Sequence, residues 1–219
     1  MRVTGSFAPY RQRLVVLLAL AFFAAPVVLY RAATANVAPP GQPAPHHFPA
    51  KEAPAKGRFL VANEHMRDPS FSGTVILLID YGWKGAVGVV VNRPTDVTLS
   101  AALPGVKGIG RTREKVWYGG PVGANRMVML IRSAKALEGS TRLFADVYAS
   151  SNRGLVEGFL DGSAKGEFRF YVGYAGWAPQ QLEIEVLQGG WYVMDAAPEE
   201  VFSKDPSRVW QELIRRIKE

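Results

Sequence analysis

The stretch Gly173-Tyr174-Ala175-Gly176-Trp177, continuing through Pro179 to Gln181-Leu182-Glu183, constrains the fold more than any other segment of this chain. Two glycines, two large aromatics and a polar tail fall within eleven residues at a strand-to-helix junction, where a generic sequence carries ordinary turn residues. That density predicts a backbone of fixed shape rather than a loose loop.

The surrounding pattern sets the fold class. Arg58–Ala62 reads as a short apolar strand, and Gly73–Tyr81 (GTVILLIDY) and Gly85–Asn92 (GAVGVVVN) as longer ones joined through Gly82-Trp83-Lys84 in a hairpin. Both hairpin arms are almost continuously apolar, which predicts burial on both faces under helices or further sheet. Further strands are expected at Val116–Tyr118, Met127–Arg132, Leu143–Ala149, Phe168–Tyr174 and Trp191–Met194. Helices are expected at Leu99–Leu103, Asn152–Leu160, Gln180–Leu187 and Arg208–Lys218, the last with Val209, Leu213, Ile214 and Ile217 on one face. Strands and helices alternate irregularly and without repeats, which argues for an α+β domain over a doubly wound sheet.

Three regions follow: residues 1–35 as signal peptide or membrane anchor, 36–56 as a proline-rich tether, and 57–219 as the folded domain. Leu14–Tyr30 (LVVLLALAFFAAPVVLY) is 17 uncharged residues between Arg2, Arg11 and Arg13 on one side and Arg31 on the other. As a helix it spans ~25 Å, just under the ~30 Å hydrocarbon core. It reads either as a signal peptide cut after Ala33-Thr34-Ala35 or as an uncleaved anchor, with Arg31 favouring retention; both readings leave the basic end in the cytoplasm and carry the domain across the membrane. The tether holds six prolines in 21 residues and reaches at most ~65 Å in polyproline form. His46-His47 within it reads as spacer.

Cysteine is absent, which excludes disulfides, thiolate nucleophiles and every cysteine-based metal site. The net charge of +7 invites a nucleic-acid reading, yet from Gly57 onward 20 basic residues face 18 acidic ones. The best local cluster, Arg111, Arg113 and Lys115, is interrupted by Glu114, so nucleic acid is not the expected partner.

Several corners accompany the opening motif: Asp68-Pro69-Ser70-Phe71, Asn92-Arg93-Pro94 and Tyr118-Gly119-Gly120-Pro121-Val122. At the second, proline stops the ladder and forces Arg93 into an extended conformation, which predicts a guanidinium free to face a partner. Taken in order with Gly173-Tyr174-Ala175-Gly176-Trp177, Gln181-Leu182-Glu183 and Trp191, these corners closely resemble the YqgE/AlgH family of bacterial proteins over about residues 57–217. The resemblance implies a curled, branching, mostly antiparallel or mixed sheet surrounded by helices. It implies little chemistry, because the family has no settled biochemical activity, and one member's label as a transcriptional regulator of alginate production describes a role. The chain departs from the family at Ala178-Pro179-Gln180-Gln181, where Gly-Pro-Gly-Gln or a close relative is usual, which calls a glycine-dependent conformation there into question. Typical members also begin near the first strand and are taken as cytosolic, so the apolar leader is not part of the family picture.

No nucleophile elbow, phosphate loop or His-Glu-x-x-His pattern is present, and His65 is the one histidine of the folded part. The expected function is a non-enzymatic regulatory domain that binds a protein or small ligand, is tethered to a membrane or exported, and needs no cofactor or metal. The alternatives are an enzyme built on carboxylates such as Asp68 or Glu183 with Arg93 or Arg153 as anion clamp, and a transcription-regulatory protein in the cytoplasm. Candidate binding residues are Asp68, Asn92, Arg93, Gly119, Gly120, Tyr174, Trp177, Gln181 and Glu183.

Overall fold

One strand, β9 (Glu167–Trp177), organises the sheet, because its two halves take different partners. In the computed structural model, which describes residues 53–104, 106, 109 and 112–219, ten strands form one sheet. The other strands are β1 (Arg58–Ala62), β2 (Val75–Gly82), β3 (Gly85–Val90), β4 (Pro94–Thr98), β5 (Lys115–Tyr118), β6 (Val122–Arg132), β7 (Thr141–Phe144), β8 (Val147–Ser150) and β10 (Trp191–Asp195). The helices are α1 (Leu99–Ala102), α2 (Arg153–Asp161), α3 (Gln181–Leu187), α4 (Pro198–Val201) and α5 (Pro206–Lys218).

Along one edge, β9 pairs antiparallel with β6, from Glu167 opposite Arg132 to Val172 opposite Met127. Along the other it first pairs parallel with β5, at Phe170–Val172, and then antiparallel with β3, at Ala175–Trp177. The sheet therefore forks at Gly173, whose φ of +74° lies in the left-handed region. From the fork it runs outward through β3, β2, β1 and β10 on one side and through β6, β8 and β7 on the other, with β4 held by β5. Every pairing except β5 with β9 is antiparallel, and the sheet curls into a half-barrel, in keeping with the curled, branching sheet that the family resemblance implies.

Period-two alternation sends the strands' apolar side chains to both faces. Phe59, Val61, Val75 and Leu77 pack with Val201, Val209 and Leu213 of α4 and α5, whereas Leu60, Ile76 and Leu78 pack with Leu182 of α3 and with Trp177 and Trp191. A third cluster places Phe159 and Leu160 of α2 on Met129, Ile131 and Phe170. Each fully buried aliphatic or aromatic side chain contributes about 1.5–3 kcal/mol, so the helices that cover both faces stabilise the sheet by burying its apolar side chains.

Two sequence expectations need correction, and one element, α4, was not expected. Leu143–Ala149 is not one strand but the hairpin β7–β8, turned at Ala145 with φ +38° although no glycine marks the turn. Pro94 does not end the ladder; it opens β4, an edge strand whose first residue needs no donor. The short helix α4 has no apolar period long enough to be read, but Pro198 at its first turn and buried Val201 define it. The proposed anchor, most of the tether, His46-His47 and Arg111 lie outside the described residues. Among the described residues no helix is long and apolar enough to cross a membrane.

Candidate functional site

At the fork, backbones approach too closely for side chains. A methyl on Gly119 would collide with the Gly173 carbonyl, and one on Gly120 with the backbone of Tyr174. Gly119 bridges the branches by donating to Val172 O at 2.8 Å and accepting from Val90 N at 2.9 Å. Asn92 is buried beside this corner, and its side chain substitutes for a missing strand residue: Oδ1 accepts from Val75 N and Nδ2 donates to Gly73 O, both at 2.9 Å.

Arg93 is not free. Its guanidinium donates to Ser70 O at 2.7 Å, Ser72 O at 2.9 Å and Pro69 O at 3.2 Å, and so gathers the carbonyls of the turn after β1. The planar fork of arginine suits three divergent carbonyls, which a single ammonium serves less well. Asp68 shapes the same turn, its Oδ1 accepting from Ser70 N at 2.7 Å and its carbonyl from Phe71 N and Ser72 N. Tyr118 completes this neighbourhood, with its ring centroid 5.9 Å from the Arg93 guanidinium. Burial lowers the Arg93 pKa from its ordinary value, against the pull of Tyr118 and Asp68; burial also raises that of Tyr118, with Arg93 opposing.

The turn carries Phe71 into a second cluster. Phe71 stacks on Trp177 with centroids 6.5 Å apart and meets Trp191 edge-on at 5.6 Å. Trp177 and Trp191 are only 6% and 3% exposed, and both indoles donate to Oε2 of Glu185. Gln181 Nε2 donates to the other oxygen of Glu185 at 2.9 Å, and Gln181 Oε1 accepts from Ala178 N at 3.1 Å. Glu183 accepts the Tyr81 hydroxyl at 2.6 Å, and burial together with this hydrogen bond pushes the Tyr81 pKa well above its ordinary value. Tyr174 belongs elsewhere: it packs on the cluster of the opposite sheet face, under the Arg126 guanidinium at 5.9 Å.

The α3 entrance also resolves the family departure. Gln180 stands at φ +66°, ψ −6°, and Gln181 N donates to Ala178 O at 3.1 Å, which is a type II turn with Pro179 at its second position. The left-handed conformation is retained, with glutamine in place of glycine.

The structure thus joins Asp68 to Arg93 and Trp177 to Gln181; Tyr81, which donates to Glu183, and Phe71, carried by the Arg93 turn, both pack on the Trp177 cluster, whereas Tyr174 packs on the cluster of the other sheet face. Sequence reasoning missed Glu185, although its position four residues after Gln181 puts the two on one helix face. His65 is exposed, its backbone N–H held by Asn63 Oδ1 at 2.8 Å, and no group of three or more metal-ligating side chains occurs among the described residues. Of the expected basic cluster, Lys115 pairs with Asp96 at 2.9 Å. The large apolar side chains left exposed among the described residues are Trp83 at the β2–β3 turn at 46%, Val122 at the start of β6 at 42%, and Ile184 and Leu187 on α3 at 45% and 59%.

Comparison with known proteins follows this architecture. The AlgH-like (DUF179) profile matches residues 59–219. A UPF0301 protein of Streptomyces avermitilis is 38% identical over 166 residues, covering 73% of this chain and 85% of the relative. One of Anaeromyxobacter dehalogenans is 34% identical over 183 residues, covering 79% and 91%. The crystal structure of protein DIP2367 from Corynebacterium diphtheriae superposes with a TM-score of 0.65 at 27% identity, covering 76% of this chain and 88% of that one. The solution structure of the AlgH protein from Pseudomonas aeruginosa gives 0.63 at 26% identity, covering 76% and 92%.

Proposed function

The chain belongs to the AlgH-like family, and from that premise we propose that it is a non-enzymatic protein-binding module which presents helix α3 as a rigid docking face and is tethered to a membrane. The observation that carries this reading is the pair Ile184 and Leu187, 45% and 59% exposed on a helix whose inner side is clamped through Glu185. These residues lie three apart, on one helix face. A helix already held in its binding geometry loses little freedom on docking.

The motif side chains support the same reading by what they are used for. Arg93 and Asp68 build the turn after β1, Glu183 holds Tyr81, and Asn92 extends the β2–β3 pairing. A carboxylate-centred enzyme needs acids that converge on a substrate, and these acids diverge into separate structural tasks. The tether is supported by the apolar run Leu14–Tyr30 and its arginine flanks, and the family profile begins only at residue 59.

The test is photocrosslinking of the full chain in its native membrane fraction, wild type against Ile184→Glu with Leu187→Glu. Crosslinked partners should fall at least tenfold while the melting temperature stays within a few degrees. An unchanged crosslinking pattern refutes α3 as the docking face, and recovery of the chain entirely in the soluble cytosolic fraction refutes the tether.

A further inference from the structure

The β2–β3 turn projects from the end of the sheet at which the preceding chain arrives. Gly57 N donates to Leu78 O at 2.8 Å, in the middle of β2, and Arg58 Nη1 donates to Ala53 O at 3.1 Å, so the chain enters β1 alongside the second half of β2, which runs antiparallel to it. Five residues beyond Leu78 stands Trp83, about 17 Å further at ~3.3 Å per residue. The 52 residues before Ala53 include the apolar run Leu14–Tyr30. That run is therefore joined to the domain at the sheet end from which Trp83 protrudes.

The chemistry of the tip fits one kind of surface. Trp83 is 46% exposed, and Lys84 Nζ sits 5.0 Å from its ring centroid. An exposed tryptophan beside a lysine is an amphipathic pair of the type that settles at the boundary between headgroups and acyl chains, ring inward and ammonium outward. Charge gives no alternative drive: Lys56, Arg58 and Lys84 at this end are matched by Asp80, Glu183 and Asp195, with Arg58 paired to Asp195 at 3.1 Å. Anionic lipid is therefore not required.

We infer that the Trp83-Lys84 turn is a membrane-contact element that rests in the interfacial layer of the bilayer holding the apolar run. This rests on the tethered reading proposed above. Residues 31–52 reach at most ~68 Å when fully extended, several times the 17 Å offset, so tether length permits the contact without enforcing it. Tethering also keeps the bilayer at high effective concentration, so a single aromatic suffices to populate the contact. One end of the domain is then fixed at the membrane, which restricts its tumbling and orients α3.

The experiment uses the full chain in phosphatidylcholine vesicles, comparing wild type with Trp83→Phe. Trp177 and Trp191 are buried, and Trp117 and Trp210 are half-buried, so the difference spectrum reports the one strongly exposed indole among the described tryptophans. The expected result is that this difference emission is quenched at least twofold by lipids brominated along the acyl chain, and that acrylamide quenches it less than it quenches a free tryptophan peptide. Free access to acrylamide without bromolipid quenching, in a chain that sediments with the vesicles, overturns the inference and leaves the tether standing. Failure to sediment with vesicles overturns both. Protection from both quenchers, together with crosslinking to a second copy through residue 83, overturns it in favour of self-association.

Discussion

Trp177 and Trp191 donate their indole N–H groups to the same atom, Oε2 of Glu185, at 2.9 and 2.8 Å. Their rings meet edge-on, centroids 6.0 Å apart, so one carboxylate ties the end of β9, the start of β10 and the middle of α3 into a single unit. The arrangement explains why the most distinctive motif of the sequence is rigid: its tryptophan is a strut, and the glutamine four residues later braces the carboxylate.

Removing that carboxylate strands two donors that are otherwise buried. Glu185→Ala should cost about 3 kcal/mol, since each unsatisfied buried donor costs about 1–3 kcal/mol, while Glu185→Gln, which keeps one acceptor oxygen, should cost about half as much. Urea unfolding with near-ultraviolet circular dichroism measures both. A Glu185→Ala variant as stable as wild type would remove this clamp from the account of α3.

Arg93 should act locally. Arg93→Ala frees three carbonyls of the turn at residues 69–72 and should destabilise the protein by about 2 kcal/mol, with faster hydrogen exchange confined to residues 63–74. Arg93→Lys should recover less than half of the loss, because an ammonium lacks the fork. Exchange that rises evenly across the sheet instead would assign Arg93 a global role.

Glycines separate into two classes that a pair of substitutions distinguishes. Gly119 does not have a positive φ, so the cost of Gly119→Ala is steric alone: the new methyl meets the Gly173 carbonyl at the fork, and a loss above about 3 kcal/mol or insoluble expression is expected. Gly73 has φ +68° but nothing within 4 Å, so Gly73→Ala should cost only the left-handed penalty of about 1–2 kcal/mol. Thermal unfolding of the two variants should place them in that order.

The contrast shows what a sequence exposes and what it conceals. β1, β2, β3 and α5 were legible because uninterrupted apolar runs and a helical stripe admit one reading each, and the corner glycines were legible because dense glycine is rare without a backbone reason. The partners of the polar residues were not legible. Arg93 meets carbonyls 21 to 24 positions earlier, and nothing in Asn92-Arg93-Pro94 says that the guanidinium turns back on its own chain. Glu185 looked like one more acid on a short helix until β9 and β10 brought two indoles to it. The hairpin at Ala145 escaped because its left-handed residue is alanine, and turn chemistry is read from glycine, asparagine and aspartate.

Gln180 gives a test in the stabilising direction. It holds φ +66° at the third position of a type II turn, where glycine is the residue without steric penalty. Gln180→Gly should raise stability by about 0.5–1 kcal/mol, the left-handed penalty being partly offset by the greater freedom of glycine in the unfolded chain. A loss of stability would mean that the glutamine side chain contributes more than its backbone conformation costs.

Alkaline pH should expose a cost buried in the core. The Tyr171 hydroxyl is fully enclosed beside Arg169, whose two guanidinium N–H groups donate to Val201 O and Ser203 O, at 2.8 and 2.6 Å. Burial outweighs the attraction of Arg169 and lifts the Tyr171 pKa far above its ordinary value of 10.0. The folded protein therefore keeps this proton at a pH where the unfolded chain has lost it. With the folded pKa raised, the Tyr171 contribution is intact below about pH 10 and is withdrawn as pH climbs, by about 1.4 kcal/mol per unit for one proton. Tyr81, half-buried on Glu183, adds in the same direction. Tyr171→Phe should be close to neutral at pH 7, since it removes a buried hydroxyl at nearly constant ring volume, and should flatten the decline above pH 10. Urea unfolding of wild type and Tyr171→Phe at half-unit steps from pH 8 to 11 measures both effects, and parallel declines in the two proteins would show that the hydroxyl ionises as readily folded as unfolded.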